Sequence, residues 1–197
     1  MGLAESSYQP YFDQRIKGMS IFVVPGNHYA QKSGDNAIST LLGSCVAACI
    51  RDTKSQIGGL NHFLLPDGGG SDGDHSARYG VNAMEVLIND ILKMGAVKSN
   101  LEAKVFGGGN VIPMNMTETV GDRNGKFVRD FLASEGIPVR AADLGGDRAR
   151  RVYFFPSTGK VSVLNVAPSD RRVLQSKEKR MQEKVLSTQA TGSVELF

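Results

Sequence analysis

Short apolar runs separated by Gly-, Pro- and Asp-rich breaks dominate the chain, and helical periodicity emerges in only two places. Residues 20–24 and 37–40 have the compact apolar and β-branched character of strands, with Pro25, Gly26 and Asn27 as turn residues between them. Residues 46–51 and 57–65 read as two more strands joined through Asp52, Thr53, Lys54 and Ser55, which have turn chemistry. Further strands are expected at 101–106, 139–142, 151–155 and 161–166, the last two closed by Pro156, Ser157, Thr158 and Gly159. Met84, Leu87, Ile88, Ile91 and Leu92 recur at the i, i+3, i+4 spacing of a buried helical face. Asn82 is the expected N-cap, Glu85 closes a capping box, and Gly95 sits where a C-cap glycine belongs. A second helix is expected over about residues 123–135, burying Phe127, Val128, Phe131 and Leu132 and stopping at Gly136. Many strands and few helices predict an α/β domain of the α+β type, in two or three layers with antiparallel strands prominent. Residues 1–19 read as a polar, loosely attached arm, 20–167 as the folded domain, and 168–197 as a charged helix and polar tail.

Composition narrows the function classes. At 197 residues and 41% hydrophobic content the chain suits one domain with its own core. No window approaches the roughly 18 apolar residues that span a bilayer. The N-terminus also lacks the order of a secretory signal, so no membrane insertion is expected. Two cysteines four residues apart, without a signal sequence, point to free thiols in a reducing cytoplasm. A net charge of +3 without an aromatic-rich basic motif argues against nucleic acid. The acidic stretch DGGGSDGDH, residues 67–75, lacks the alternating ligands of a calcium loop and reads as a mobile flap, so no metal is expected.

The candidate chemistry lies in LLGSCVAACI, residues 41–50. A two-residue hairpin turn within Asp52–Ser55 places Cys45 opposite His62, where Cβ atoms on one face lie about 4.5–5.5 Å apart. Alternation puts Cys45, Ala47 and Cys49 on that face with Leu60, His62 and Leu64. A slip of two residues keeps the face and lengthens the reach; a slip of one breaks the pairing. An imidazolium neighbour lowers a thiol's pKa from about 8.5 and can pass a proton to a leaving amine. Ser39 and Thr40 are both candidates to orient the imidazole. Backbone N–H groups at Gly43 and Ser44 suit a developing oxyanion, such donors being worth about 3–4 kcal/mol each. Cys49 reads as core.

At these residues the chain resembles the CheD family of chemoreceptor glutamine deamidases, over roughly residues 20–166. The carrying motifs are LLGSCVAACIRD, GGLNHFLLP, ARYGVNAMEVLINDILKMGA, LEAKVFGGGNV and DLGGDRARRVYFFPSTGKV. The resemblance implies a three-layer α/β/β sandwich with mixed, largely antiparallel sheets, similar to the catalytic domain of the cytotoxic necrotizing factor toxins. It also implies a Cys–His–Thr triad, in which Cys45 matches the nucleophile and His62 the base. Six residues before the cysteine, where the family pattern has threonine, stands Ser39, with Thr40 next; Ser39 is the preferred third member. Gly43, Ser44 and Asn61 are implied substrate contacts, and Arg78 and Tyr79, within the family motif, read as either packing or substrate contacts. The implied reaction hydrolyses protein-bound glutamine amides on chemoreceptors through a thioester, without a cofactor. An adaptor that binds a receptor or a CheC-type phosphatase is the alternative. The remaining motifs have simpler readings: Gly107, Gly108 and Gly109 as a strand end with a bulge, residues 145–151 as a turn with solvated charges, and His28 and His75 as surface residues.

Overall fold

The computed structural model describes residues 8–32, 34–65, 73–111 and 119–166, with side chains from residue 78 onward in the third stretch. Residues 67–72 of the flap expected over 67–75, the His75 side chain and the charged segment at 168–197 lie outside the described residues; residues 73–75 are helical.

Among the described residues, ten strands form two five-stranded sheets. The first contains β1 (Tyr11–Asp13), β2 (Gly18–Phe22), β4 (Ala37–Leu42), β9 (Arg150–Phe155) and β10 (Lys160–Asn165), in the order β1-β2-β4-β9-β10. The second contains β3 (His28–Lys32), β5 (Val46–Asp52), β6 (Ile57–Asn61), β7 (Leu101–Gly107) and β8 (Val139–Leu144), in the order β3-β6-β5-β7-β8. The β2–β4 and β7–β8 pairings are parallel; the other pairings are antiparallel. Among the described residues, two α-helices, α1 (Gly73–Lys93) and α2 (Val120–Ser134), complete the mixed α/β architecture.

Two cores define the layering. One gathers Met84, Leu87, Ile91, Val128 and Leu132 of the helices with Val46, Ala48, Ile50 and Val105 of the second sheet. The other gathers Ile38, Leu42, Val152 and Phe154 of the first sheet with Cys45, Ala47, Cys49 and Leu60 beside or within the second. The second sheet is thus covered on one face by helices and on the other by the first sheet. This double burial explains why VAACI reads as a continuous apolar run rather than an alternating one.

Several expectations are corrected here. Part of the N-terminal arm is sheet: β1 pairs with β2, and the buried Asp13 carboxylate accepts from Tyr153 Oη at 2.8 Å and Arg15 N at 2.9 Å. Strand β3 was not expected, because HYAQK pairs at the sheet edge and is only partly buried, so it carries little hydrophobic signal. Helix α1 begins at Gly73, so Asn82 is an exposed mid-helix residue and not a cap. Its first turns are rich in Gly, Asp, His and Ser, which hides them from a periodicity argument. Helix α2 starts at Val120 after the N-cap Thr119, whose side chain and that of Asp122 form the capping box.

The turn at 145–151 is not simply a solvated charge cluster. Arg150 is buried and donates to both Asp143 carboxylate oxygens, at 2.9 and 2.8 Å, and to the carbonyls of Gly145 and Arg148, at 2.7 and 3.0 Å. His28, expected as a plain surface residue, meets Asp90 of α1 at 2.8 Å and ties β3 to that helix.

Candidate active site

The loop between β5 and β6 sets the geometry. The Asp52 carboxylate accepts from Lys54 N at 2.7 Å, Ser55 N at 3.1 Å and, from across the fold, Val97 N at 2.8 Å. These backbone donors hold its pKa at about 2 despite burial. Gln56 takes a left-handed conformation at φ 59°. The loop is therefore longer than a two-residue hairpin turn, and Arg51 pairs with Gly58 and Cys49 with Leu60. Val46 bridges to Phe63. The register is shifted by two from the expected one: His62 is level with Ala47, and Cys45 with Leu64. A shift of two preserves the face, and Cys45, Ala47, Cys49, Leu60 and Leu64 share one core. Cys45 and His62 are diagonal neighbours, at about 7–8 Å between backbones, a span an imidazole crosses.

His62 is 1% exposed and Cys45 fully buried. The His62 backbone is pinned by its N–H to Asn27 O at 2.9 Å and by its carbonyl from Gly26 N at 2.8 Å. Its ring reaches the first sheet, where Nδ1 lies 2.7 Å from Thr40 Oγ1. Thr40 Oγ1 also donates to Val23 O at 2.8 Å. A hydroxyl has one proton; with that proton on Val23, Oγ1 accepts from Nδ1–H, and Nε2 carries the lone pair. Nε2 is buried with no hydrogen-bond partner among the described residues. An orphaned buried acceptor costs about 1–3 kcal/mol and calls for a functional explanation.

Burial pushes the His62 pKa down to about 3, so the ring is neutral at pH 7. The expected imidazolium beside Cys45 is therefore not the resting state. The ring is poised to accept a proton, not already holding one. Below about 6.5 an unfolded chain protonates this histidine, whereas the folded chain resists until about 3. The stability present above pH 6.5 is then lost progressively toward pH 3, by up to about 1.4 kcal/mol per pH unit. Urea midpoints measured across this range are expected to fall for the natural chain and to flatten for His62→Asn.

Ser39, preferred as third member, points elsewhere. Its Oγ pairs with Ser20 Oγ at 2.7 Å and lies 3.5 Å from Ile21 O. Neighbouring strand residues face opposite sides, and Thr40 has the side facing His62. Of the expected substrate contacts, Asn61 is buried with its amide spent on the scaffold. It accepts from Ala48 N at 2.9 Å and donates to Ala83 O at 3.0 Å. Tyr79 is half-buried; burial raises its phenol pKa, and an ionised Cys45 acts in the same direction. Arg78 is exposed.

The Cys45 loop is held by residues whose role the sequence did not disclose. Gly43 O accepts from Gly109 N at 2.7 Å, Cys45 O from Gly108 N at 2.7 Å, and Ser44 O from Asn124 Nδ2 at 2.9 Å. Gly107 and Gly108 have positive φ, and any Cβ on Gly107 collides with Cys45 O. The glycine run is a clamp on the loop more than a simple bulge. Asn124 had one signal: it shares the apolar stripe of Val128 and Phe131 at i, i+4, i+7 and is fully buried.

A reduced thiol and a neutral imidazole, buried on one face of a two-sheet α/β scaffold, define a candidate thiol–imidazole centre. The chain matches the family described as CheD chemotactic sensory transduction over residues 64–165, a span that begins just after His62. Relatives extend the likeness across the site. A probable chemoreceptor glutamine deamidase CheD of Rhodopseudomonas palustris is 45% identical over 194 residues, covering 97% of this chain and 90% of the relative. Proteins of the same description from Thiobacillus denitrificans and Herminiimonas arsenicoxydans are 49% and 47% identical over 95% of this chain, and 94% and 93% of their own. The chain belongs to the CheD family.

Proposed function

We propose that this chain is a protein-glutamine deamidase acting on chemoreceptors, with Cys45 as nucleophile, His62 as general base and acid, and Thr40 as the residue that orients His62. The observation that carries the proposal is the Nε2 of a neutral His62, buried and without a hydrogen-bond partner among the described residues, on the same sheet face as a reduced Cys45. The relatives' descriptions supply the reaction class and the substrate.

In this mechanism the Cys45 Sγ–H bond breaks as its proton passes to His62 Nε2, and the sulfur attacks the carboxamide carbon. The imidazolium, its Nδ1–H held by Thr40, returns the proton to the leaving nitrogen, and ammonia departs. Water, deprotonated by the same Nε2, then hydrolyses the thioester to glutamate. No cofactor enters. The ordering of helices, sheet and sheet supports the likeness to the cytotoxic necrotizing factor catalytic fold as part of this proposal. A cytoplasmic setting suits two reduced thiols. No helix among the described residues is long and apolar enough to cross a membrane.

The third member is tested by a pair of substitutions. Thr40→Val, which keeps the shape and removes the hydroxyl, is expected to lower the turnover of a receptor cytoplasmic fragment by roughly ten- to a hundredfold. Ser39→Ala is expected to lower the melting temperature by a few degrees with turnover nearly unchanged, because it loses only a structural hydroxyl pair. The reverse ranking in ammonia release restores Ser39 to the site.

A further inference from the structure

We propose that Asn61 is a positioning residue for His62: its side-chain carbonyl takes the Ala48 N–H and holds the β5–β6 ladder open beside the imidazole. The catalytic consequence rests on the deamidase reading above. Val46 and Phe63 exchange both backbone bonds, at 2.9 and 3.0 Å. In a regular antiparallel ladder such an exchange recurs every second residue, so Ala48 and Asn61 are due the next one. The Ala48 N–H goes instead to Asn61 Oδ1, at 2.9 Å, and the continuous pairing of the two strands stops at Cys49 and Leu60. This lapse lies beside His62, whose own backbone N–H and carbonyl are held from the other edge by Asn27 and Gly26. One side chain and one turn therefore fix the main chain from which the imidazole reaches Thr40 Oγ1, 2.7 Å away on the first sheet. A shift of about 1 Å breaks such a bond, and misplacement of that size costs catalysis about a hundredfold.

Packing does not call for an amide at this place. Asn61 is buried and touches Ala48 and Met84, both members of the apolar core beneath the helices. A leucine fills the same space without polar atoms, whereas a buried amide is tolerated only when its groups are paired. Here Nδ2 donates to Ala83 O at 3.0 Å and to Met84 Sδ at 3.2 Å, so α1 fixes the direction of the carboxamide and presents Oδ1 to Ala48. With leucine there, the Ala48 N–H has the residue-61 backbone carbonyl to take. Closing that bond draws the chain at His62 toward β5, pulls Nδ1 from Thr40 and releases the ring to either tautomer.

The test uses the full chain, a receptor cytoplasmic fragment and nitrogen NMR of the His62 ring at neutral pH. Asn61→Leu removes the Oδ1 acceptor, and Asn61→Ala is read alongside it in case leucine prevents folding. The expected result is a fall in kcat of about ten- to a hundredfold, with KM changed by less than about twofold. The ring signals of the natural chain are expected to be those of a single tautomer with its proton on Nδ1. In the variants they are expected to move toward the average of the two tautomers. A role in stability alone lowers the melting temperature and leaves those signals in place. A kcat within about twofold of the natural chain overturns the proposal. So does an unmoved tautomer in a variant that has lost turnover, and so does failure of both variants to fold. Unchanged Asn61 variants beside an inactive Cys45→Ala refute the positioning role alone. An active Cys45→Ala refutes the deamidase reading itself, and the tautomer signals then decide the role of Asn61 without it.

Discussion

Cys45→Ala is expected to lower ammonia release from receptor fragments by at least roughly a thousandfold while the protein stays folded. The argument is chemical and structural together. Alanine has no nucleophile, and no other cysteine among the described residues can substitute. Cys49 is fully buried, and burial pushes its thiol far above the ordinary range, leaving it protonated and inert. The substitution removes one sulfur from a core that also contains Leu42, Leu64 and Phe106, so the stability loss stays near the ordinary 1–2 kcal/mol of a small truncation. Cys49→Ala is the matched control. It is expected to cost similar stability and to leave turnover nearly intact; selective loss of turnover contradicts its assignment to the core.

His62→Asn carries the second large effect, a fall of roughly 10²–10⁴ in kcat at neutral pH. Asparagine keeps a donor for Thr40 but has no basic nitrogen in place of Nε2. Without it the thiol has no internal acceptor, and the proton must leave by another route. The deficit is therefore expected to shrink as pH rises, because hydroxide then supplies thiolate directly. A deficit that stays constant into alkali implies that His62 acts only in folding or in substrate binding. The pH–rate profile separates these cases where a single-pH assay does not.

The face shared by Cys45 and His62 was legible because strand period is two, and a register slip of two leaves every side chain on its original side. The register itself was not legible. It depends on the Asp52 carboxylate gathering donors from its own loop and from Val97, a residue far away in sequence. The choice between Ser39 and Thr40 was partly legible in retrospect. Thr40 lies between Ile38 and Leu42 on the face of the inter-sheet core, and alternation sends Ser39 to the other side, against Ser20. Asn124 was visible only as a polar residue at an apolar position of α2; its partners, Ser44 and Leu65, are joined to it by tertiary folding alone. The short strand β1 and the polar strand β3 carry too few apolar positions to signal themselves. The ionisation state of His62 was not legible for a related reason. Predicted cross-strand pairing suggests a charged imidazole beside the thiol, whereas full burial of His62 favours its neutral form.

The most direct measurement is mass spectrometry of a chemoreceptor cytoplasmic fragment incubated with the natural chain and, in parallel, with Cys45→Ala. The account predicts a gain of about one dalton at particular glutamines, amide to acid, matched by released ammonia and present only with the natural chain. The same gain with Cys45→Ala, or none with the natural chain, contradicts it.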